Sequence, residues 1–571
     1  MKYVLYVILI ISFLGCTNNE KARDFPPSIT DLANSYHKQY METFPEMSYF
    51  IGDSIVDHTN ITSNNISEME IWEHYEDQLY DDLLKINTGN FSNQNEKITY
   101  WILKEKLEQS IEMRVCKRHL WSVTHMSGWQ TNWLYFSELQ PVNAPELRAQ
   151  AFGRWKKLPI YITTEIENLR KGLSEGYSMP KEIVELVINQ LQVLIDYPIA
   201  ESPFMAPAKR ANNQEFYTQW KALISKKIIP AFSEYHDFLK KEYLLAARKE
   251  VSLLALPSGD ECYQAYIREQ TTTTKTGNDI FSLGQKIVAV NKNKVIEIGK
   301  DLYQTDQFSE IIKKQNEDPS NYFKTSEEIL ETNSLFLENA KKECQNWFSS
   351  FPSSEVSIKP YEAHESGEGS YEMATKNKPA FFRINLKNPQ QQQKGKNEVL
   401  SYHEAYPGHH LQVGIERDLK DLHPISKLIS FTSYIEGWAR YSEQLAEEMG
   451  LYQNTSALIS RRAWPARGMV IDPGVHLKGW TKEQTLDYIM ESGFNKEIAI
   501  SLYQRIVVMP AQLTSYDVGG EEIKALRRLA EEELGPDFDI KAFHEKILKN
   551  GAIPLSGLRT VIEEWIAENR D

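Results

Sequence analysis

Three of the thirteen histidines of the chain fall within residues 401–412, which read Ser-Tyr-His-Glu-Ala-Tyr-Pro-Gly-His-His-Leu-Gln. The first of them, His403, is followed directly by Glu404. When a His-Glu pair lies on a helix and another histidine follows one turn later, two imidazoles can bind one Zn²⁺ while the glutamate activates a water molecule. In this chain Pro407 occupies the position one turn after His403. The segment therefore has the residue types of a zinc hydrolase site without the usual spacing.

The interruption decides which histidine can be the second ligand. Pro407 cannot bind a metal, and a proline in this position breaks a helix. In an unbroken helix His410 would share the face of His403 but lie ~10 Å from it along the axis, too far to share one ion. A common site therefore requires Pro407 and Gly408 to loop out. This arrangement favours His409 as the ligand and leaves His410 as the alternative.

A third ligand is expected from residues 431–445, Phe-Thr-Ser-Tyr-Ile-Glu-Gly-Trp-Ala-Arg-Tyr-Ser-Glu-Gln-Leu, which predict a second helix. A carboxylate from this helix would complete a His₂Glu site that leaves the fourth position for water. Glu436, which has apolar neighbours, is the predicted third ligand of one Zn²⁺ per chain. Glu443, two turns later on the same face, is the alternative ligand. Glu436 could instead form a buried ion pair with an arginine.

The elements that must position these residues are mostly helices, so the predicted fold class is mainly α. Residues 351–378 contain Pro, Ser and Gly and predict a loop, whereas the apolar residues 379–386 predict a strand close to the metal helix. That strand could pair with an extended peptide or belong to a small structural hairpin. Helical segments are predicted at 142–200, 214–250, 276–350, 396–406 and 521–534.

The length and charge of the chain exclude some classes of protein. Its 571 residues are enough for two or three packed subdomains. The net charge of −15 is spread along the chain without a Lys/Arg tract, so no nucleic acid partner is expected. Apart from Cys16, the cysteines are Cys116, Cys262 and Cys344, and their wide spacing favours buried free thiols over a disulfide.

The first residues predict export. Lys2 precedes an apolar run at 3–14 that ends at Gly15 and Cys16, and this run is too short to span a membrane. We interpret residues 1–16 as a lipoprotein signal in which Cys16 becomes the lipidated first residue; ordinary secretion with cleavage nearby is the alternative. Residues 17–27 predict a tether. The mature protein is then expected outside the cytoplasm, lipid-anchored on the periplasmic or outer-surface side of a bacterial membrane.

Several segments resemble the signature blocks of the DUF885 family, bacterial proteins of which many are described as lipoproteins. Residues 403–412 and the Ile-Glu-Gly-Trp-Ala-Arg-Tyr segment carry the likeness most clearly. The likeness covers most of the chain and is strongest from about residue 260 onward. Further matching blocks lie at 266–273, 467–480, 510–516 and 551–555.

The family in turn resembles helical zinc metallopeptidases, which pair a His-Glu…His helix with a downstream glutamate. This resemblance implies a helical metallopeptidase-like fold around a deep cleft, over residues 28–571. The fold could be divided into two lobes at about 28–260 and 261–571. It also implies cleavage of short peptides. The chain departs from the family pattern at Ala511, where glycine is usual, and before Leu283, where the usual histidine is missing.

The resemblance also suggests roles for individual residues. Glu404 is expected to be the general base that activates water. His476 and Tyr516, both in matched blocks, are the candidate donors to the developing oxyanion. Arg467 is expected either to bind a substrate carboxylate or to pair with Asp472.

Three functions remain open at this point. The first is a zinc-dependent peptidase. The second keeps the zinc site but hydrolyses another amide or an ester. The third is a non-catalytic helical lipoprotein that binds a ligand and uses the histidines in its core.

Overall fold

The computed structural model describes residues 27–51, 58–362, 367–375 and 378–570. The signal peptide, the lipidated Cys16 and nearly all of the tether lie outside the described residues. The described part of the chain is mainly helical, which confirms the predicted fold class. None of its helices is both long enough and apolar enough to cross a membrane.

The helices of the first half of the chain surround an apolar core that includes Tyr36, Trp155 and Trp220. In this half the described α-helices are α1 (Ile29–Thr43), α2 (Ser48–Ile51), α3 (Ile66–Leu83), α4 (Gln94–Met113), α5 (Trp129–Leu139), α6 (Pro145–Trp155), α7 (Leu158–Ser174), α8 (Lys181–Asp196), α9 (Ala206–Arg210), α10 (Gln214–Leu223), α11 (Ile229–Phe238), α12 (Leu244–Ala246) and α13 (Gly259–Thr271).

The second half contains the helices that carry the candidate metal ligands. Its described α-helices are α14 (Gly277–Tyr303), α15 (Phe308–Glu317), α16 (Ser326–Trp347), α17 (Lys394–Glu404), α18 (His409–Asp418), α19 (Ile425–Leu428), α20 (Thr432–Glu448), α21 (Thr455–Ala463), α22 (Gly468–Leu477), α23 (Lys482–Met490), α24 (Lys496–Val508), α25 (Ser515–Leu534), α26 (Ile540–Leu548) and α27 (Leu555–Glu568). The helices predicted at 396–406 and 431–445 correspond to α17 and α20 and are confirmed.

A three-stranded sheet lies between α16 and α17 in the chain. It consists of β1 (Val356–Pro360), β2 (Gly369–Glu372) and β3 (Ala380–Ile384), in the order β1-β3-β2. β3 is parallel to β1 and antiparallel to β2. The strand predicted at 379–386 is confirmed as β3. The loop predicted at 351–378 is partly wrong, because two short strands form inside it.

The sheet is held against the helix that carries His403. Along β3 the side chains of Ala380, Phe382 and Ile384 are buried while those between them are half-buried, the period-two alternation of a strand with one face on a core. Phe382 and Ile384 form an apolar cluster with Ile329 of α16, and Leu400 of α17 packs against it. The sheet is therefore fixed beside the metal helix.

The closest helix pairing that bears on the site is between α20 and α25. A β-carbon on Gly519 would lie 1.7 Å from the carbonyl oxygen of Ser433, and one on Gly437 would lie 2.6 Å from Gly519. The two backbones touch here, and only glycine fits between them. The contact brings the side chains of Glu436, next to Gly437, and Tyr516, three residues before Gly519, to the wall of the same cavity.

The cysteine prediction is wrong for two of the three residues. Cys116 and Cys262 form a disulfide with a sequence separation of 146, and Cys344 is a buried free thiol. Sequence spacing did not reveal the pair because the two residues meet only when α13 packs on α4 and the turn that follows it.

One hydrophobic core runs through both predicted lobes. It contains residues from Ile29 near the start to Ile566 near the end, and residues of α13 such as Tyr263 lie within it. The division into lobes at about residue 260 stays a prediction.

Candidate metal centre

The helix that begins at Lys394 ends at Glu404, and a new helix begins at His409. Between them the chain loops out at Pro407, as the sequence predicts. A β-carbon on Gly408 would lie 1.9 Å from the carbonyl oxygen of His403, so the close return of the chain requires glycine. The carbonyl oxygen of Pro407 accepts hydrogen bonds from Trp438 Nε1 at 2.9 Å and Ser442 Oγ at 3.1 Å. Helix α20 thus fixes the loop.

The loop brings His403 and His409 together with Glu436. The two imidazole rings are 4.8 Å apart between centroids and almost perpendicular. Glu436 Oε2 lies 3.5 Å from His403 Nε2 and 3.4 Å from His409 Nε2. Ligand atoms at ~2.1 Å from a tetrahedral Zn²⁺ are roughly 3.4 Å apart. The two distances from Glu436 therefore match a shared zinc ion, and the ligand atoms of all three residues lie within 4.8 Å of one another.

The polar atoms of the cluster also fit a metal. Glu436 Oε2 and His409 Nδ1 are shielded from solvent and accept or donate no hydrogen bond within the described residues. Burial alone would raise the pKa of Glu436, but His403 and His409 hold it well below its usual value. Burial alone would lower the pKa of His403, but Glu436 and Glu443 raise it to about 10. An ionised carboxylate and two imidazoles together form a suitable donor set for zinc. Protons compete with the metal for these groups.

Glu443 lies behind His403 and not in the ligand cluster. Its Oε1 is 2.9 Å from His403 Nδ1, an arrangement in which Nδ1–H donates and Nε2 keeps its lone pair for a metal. Arg440 Nη1 donates to both oxygens of Glu443 at 2.8 and 2.7 Å, and its Nε lies 3.2 Å from Asp517 Oδ1. The alternative of Glu443 as a direct ligand is replaced by this orienting role.

His410, the alternative to His409, is not part of the cluster. Its ring is completely buried, with Nε2 3.1 Å from the hydroxyl of Tyr406 and Nδ1 3.3 Å from that of Tyr371. Burial lowers the pKa of His410 to about 4, so the ring is neutral. His410 is the second residue of α18 and packs inward, while His409 faces His403 and Glu436.

Glu404 lies where two cavities meet. A cavity of about 450 Å³ and another of about 470 Å³ are both lined by Gly369, His403, Glu404 and Tyr516. The carboxylate of Glu404 has no hydrogen bond or ion pair to another side chain in the described parts of the chain. A general base needs such access to water, and this position beside His403 agrees with that role.

Tyr516 lies at the same junction. Its ring stacks on His403 at 6.2 Å between centroids, and its hydroxyl accepts a hydrogen bond from Arg505 Nη2 at 3.1 Å. Burial raises the pKa of Tyr516 to about 12, so the phenol keeps its proton at neutral pH. It can therefore donate to an oxyanion that forms beside His403.

His476 does not reach the cluster, and its predicted catalytic role is wrong. It is completely buried in α22, where Nε2–H donates to the carbonyl oxygen of Ile506 at 3.1 Å and Nδ1 accepts from the Leu253 amide at 3.3 Å. It lines neither of the two cavities. Burial lowers the pKa of His476 to about 4. The residue is a neutral core histidine with both nitrogens satisfied.

Arg467 is also a structural residue, so both roles predicted for it are wrong. Its side chain is completely buried and binds the carbonyl oxygen of Ala463 at 2.8 Å and the carboxylate of Glu491 at 2.9 Å. The predicted partner Asp472 instead accepts hydrogen bonds from the Tyr263 hydroxyl at 2.7 Å and the Ala511 amide at 2.9 Å.

Sequence reasoning missed Arg440, Asp517 and Arg505. The spacing of Arg440 was an available signal, because it lies one turn after Glu436 and three residues before Glu443 on the same helix. Asp517 and Arg505 carry no comparable local signal. Their place depends on the pairing of α20 with α25 and on the position of α24.

Comparison with known proteins gives the fold and the family but no activity. The crystal structure of a protein from Colwellia psychrerythraea, named as a "putative lipoprotein", is similar with a TM-score of 0.86 at 22% identity, over 95% of this chain and 100% of that one. The structure of a protein from Shewanella oneidensis, named as a "putative lipoprotein of unknown function", is similar with a TM-score of 0.78 at 17% identity. The similarity covers 94% of this chain and 100% of that one. No curated protein matches.

The family comparison covers nearly the whole chain. The profile described as "Bacterial protein of unknown function (DUF885)" matches residues 45–562. That range contains every residue of the candidate metal centre, the three helices that supply its candidate ligands and the sheet beside it. The chain belongs to the DUF885 family.

Proposed function

We propose that this chain is a zinc-dependent peptidase that cleaves short peptides outside the cytoplasm. The observation that carries the proposal is the separation of 3.4–3.5 Å between Glu436 Oε2 and the Nε2 atoms of His403 and His409, beside a cleft that reaches Glu404. Three protein ligands and an open fourth position are typical of catalytic zinc, whereas structural zinc sites have four protein ligands.

Each of three residues around the centre has a separate role in hydrolysis. When bound, zinc supplies a Lewis acid that polarises the substrate carbonyl and acidifies a water molecule. Glu404 takes the proton of the attacking water and passes it to the leaving amine. Tyr516 donates its hydroxyl proton in a hydrogen bond to the oxygen that becomes negative. Glu443 holds the imidazole of His403 in the tautomer that leaves Nε2 free.

An extended peptide fits the open edge of the sheet better than an ester does. The Asn385 amide donates to the carbonyl oxygen of Glu368, which makes these two residues a hydrogen-bonded pair. Because hydrogen-bonded and non-hydrogen-bonded pairs alternate along antiparallel strands, the backbone groups of Gly369 and Tyr371 point away from β3. In the part of the chain that the structure describes, no strand pairs with that outer edge of β2. Gly369 lines both cavities, so a peptide strand added there would pass the metal centre.

The strand that could pair with a peptide is therefore β2, and not β3 as the sequence suggests. β3 is the central strand and has partners on both sides, so it has no free edge for a substrate. The free backbone groups belong to β2, inside the segment for which the sequence predicts a loop. An ester or small amide would leave these groups unused, which is why we favour a peptide substrate.

We also propose that the mature protein is lipid-anchored through Cys16 on the extracytoplasmic side of a bacterial membrane. The sequence signal at residues 1–16 supports this location. The names of the two similar structures agree with it. The Cys116–Cys262 disulfide is further support, because disulfides persist mainly outside the reducing cytosol.

The test is metal content together with turnover. The chain lacking residues 1–16 is expected to contain about one zinc per molecule and to cleave members of a short-peptide library. A His403→Ala/His409→Ala variant is expected to contain no zinc. Glu404→Gln is expected to keep its zinc and lose at least 100-fold in kcat, the loss expected of a general base.

Each alternative has a distinct result in the same experiment. Zinc without peptide cleavage, but with cleavage of amide or ester probes, would favour the other hydrolase. A wild-type protein that stays metal-free when zinc is offered would leave only the ligand-binding lipoprotein. His410→Ala is the matched control, because His410 neighbours His409 but does not face the cluster, and this variant should keep its zinc.

A further inference from the structure

Of the two cavities that meet beside His403, the one of about 450 Å³ is here called the basic cavity. Its walls include the apolar side chains of Trp464, Phe494 and Leu502, and it ends at His403 and Tyr516. Four cations line it: Lys396, Arg440, Arg461 and Arg505.

Two of these four cations are neutralised by carboxylates of the protein. Arg440 forms ion pairs with Glu443 and Asp517, and Arg461 forms one with Glu447. These pairs hold helices α20, α21 and α25 in place. The charges of Arg440 and Arg461 are therefore matched within the protein.

The other two cations have no such partner. Arg505 donates one hydrogen bond, from Nη2 to the Tyr516 hydroxyl at 3.1 Å. Lys396 donates to the carbonyl oxygen of Gly493 at 3.3 Å and lies over the ring of Phe494. Neither has a carboxylate within ion-pair distance in the described residues. Burial lowers the pKa of Lys396, and the exposed Glu368 acts in the opposite direction.

Arg505 has the right chemistry and reach to hold an anion near the scissile bond. A guanidinium has five N–H donors in a planar fork that matches a carboxylate, and Arg505 uses one of them. Its guanidinium carbon is 5.9 Å from the Tyr516 ring centre, which in turn is 6.2 Å from His403. A bound carboxylate therefore lies within about three residues of extended peptide from the metal ligands.

We infer that the basic cavity binds a carboxylate of the substrate through Arg505, with Lys396 as a second cation. This inference rests on the proposed peptidase function and names the class of peptide that it prefers. The carboxylate is either the C-terminus of a short peptide or an acidic side chain near the cleaved bond. The role that the sequence suggests for Arg467 thus passes to Arg505, because Arg467 is buried against Glu491 and Arg505 faces the cavity.

The experiment measures binding separately from cleavage. Zinc-loaded Glu404→Gln protein is titrated by calorimetry with tetra-alanine and its C-terminal amide, and with an amidated alanine tetrapeptide carrying one glutamate or one glutamine. In the same protein, Arg505→Gln is expected to weaken the binding of the carboxylate-bearing peptide about tenfold or more and to leave the affinity for its neutral counterpart unchanged. A loss of affinity for tetra-alanine would identify the C-terminus as the bound carboxylate. A loss of affinity for the glutamate peptide would identify an acidic side chain.

Control variants separate this role from support of Tyr516. Arg505→Lys keeps the charge and is expected to restore part of the discrimination, and Lys396→Gln is expected to reduce it to a smaller extent. Arg417→Gln, a cation that lines the other cavity, should leave the ratio of acid to amide affinity unchanged.

Three results would overturn the inference. These are equal affinity of wild-type Arg505 protein for acid and neutral peptides, an equal loss for all four peptides in Arg505→Gln, and no measurable binding of any of them. Cleavage of the same peptides by the protein with Glu404 intact is measured in parallel. Selective binding without cleavage would count against the peptidase and leave the carboxylate site in place.

Discussion

At the scale of single residues, Glu443 shows how the centre is held in a usable state. Its carboxylate accepts from His403 and is itself bound by Arg440. Although burial would raise the pKa of Glu443, Arg440 and His403 lower it, so the group is charged and orients the imidazole. Replacing one oxygen by an amide nitrogen removes this charge while the shape is kept.

We predict that Glu443→Gln lowers zinc affinity about 10–100-fold, the usual effect of removing a partner that orients a ligand. Zinc affinity would be measured by competition with a chelator. Glu436→Gln, which removes a direct ligand, should lose far more affinity. Glu448→Gln, an exposed change on the same helix, is the control and should bind zinc normally. Equal affinities for Glu443→Gln and wild type would contradict the assigned role.

The sequence predicted which three side chains meet at the candidate centre better than it predicted the residues around them. The clustering of His403, His409 and Glu436 was predictable because the Pro407 interruption and helix spacing limit which side chains can meet. His476 and Arg467 were misassigned because their burial against Ile506 and Glu491 depends on contacts far along the chain. Local sequence cannot show whether a histidine faces a cleft or a core.

Ala511 illustrates the same limit for the backbone. The resemblance leads one to expect glycine here, and the structure gives a physical reason: φ is 64°, in the left-handed region where glycine has no steric penalty. The Ala511 amide is held by Asp472 Oδ1 at 2.9 Å. That buried contact lets alanine adopt a conformation that its own preference disfavours.

At the scale of elements, the centre depends on the contact between α20 and α25. Glu436, Arg440 and Glu443 come from α20, while Tyr516 and Asp517 come from α25. The two helices approach closely because Gly437 and Gly519 have no side chains at the crossing. A methyl group at this point has no space to enter without moving one backbone.

We predict that Gly519→Ala lowers the free energy of unfolding by about 3 kcal/mol or more, at the upper end of overpacking effects, because its β-carbon would collide with the Ser433 carbonyl. It should also weaken zinc binding, because Glu436 shifts with α20. Thermal unfolding and zinc titration would measure both effects. Glu532→Ala, an exposed position on the same helix, should change neither. A Gly519→Ala protein with normal stability would show that the helices do not touch.

The helices around the site and the apolar strand β3 were predictable, whereas β1 and β2 were not. α17 and α20 have clear helical periodicity, and their predicted bounds are close to the observed ones. β2 has only four residues, includes Gly369 and forms because β3 offers a partner. Its place at the cleft is therefore a property of the sheet and not of its own sequence.

At the scale of the whole molecule, the two cavities beside His403 lie in a continuous helical framework. Its apolar core includes residues from both halves of the chain, so the metal centre does not rest on a separate small domain. The Cys116–Cys262 disulfide links the end of α4 to α13, close to the boundary predicted at residue 260. It closes a long loop that contains most of the first half.

We predict that Cys116→Ala/Cys262→Ala lowers the free energy of unfolding by about 2–5 kcal/mol, because a disulfide that closes a long loop restricts the unfolded chain. Urea unfolding with and without reductant would measure it. The wild type should lose stability when reduced, whereas the double variant should not respond. Cys344→Ala, which removes the buried free thiol, should still lose stability when reductant is added. Three reactive thiols in the unfolded, unreduced wild type lacking residues 1–16 would rule out the disulfide and remove its support for an extracytoplasmic location.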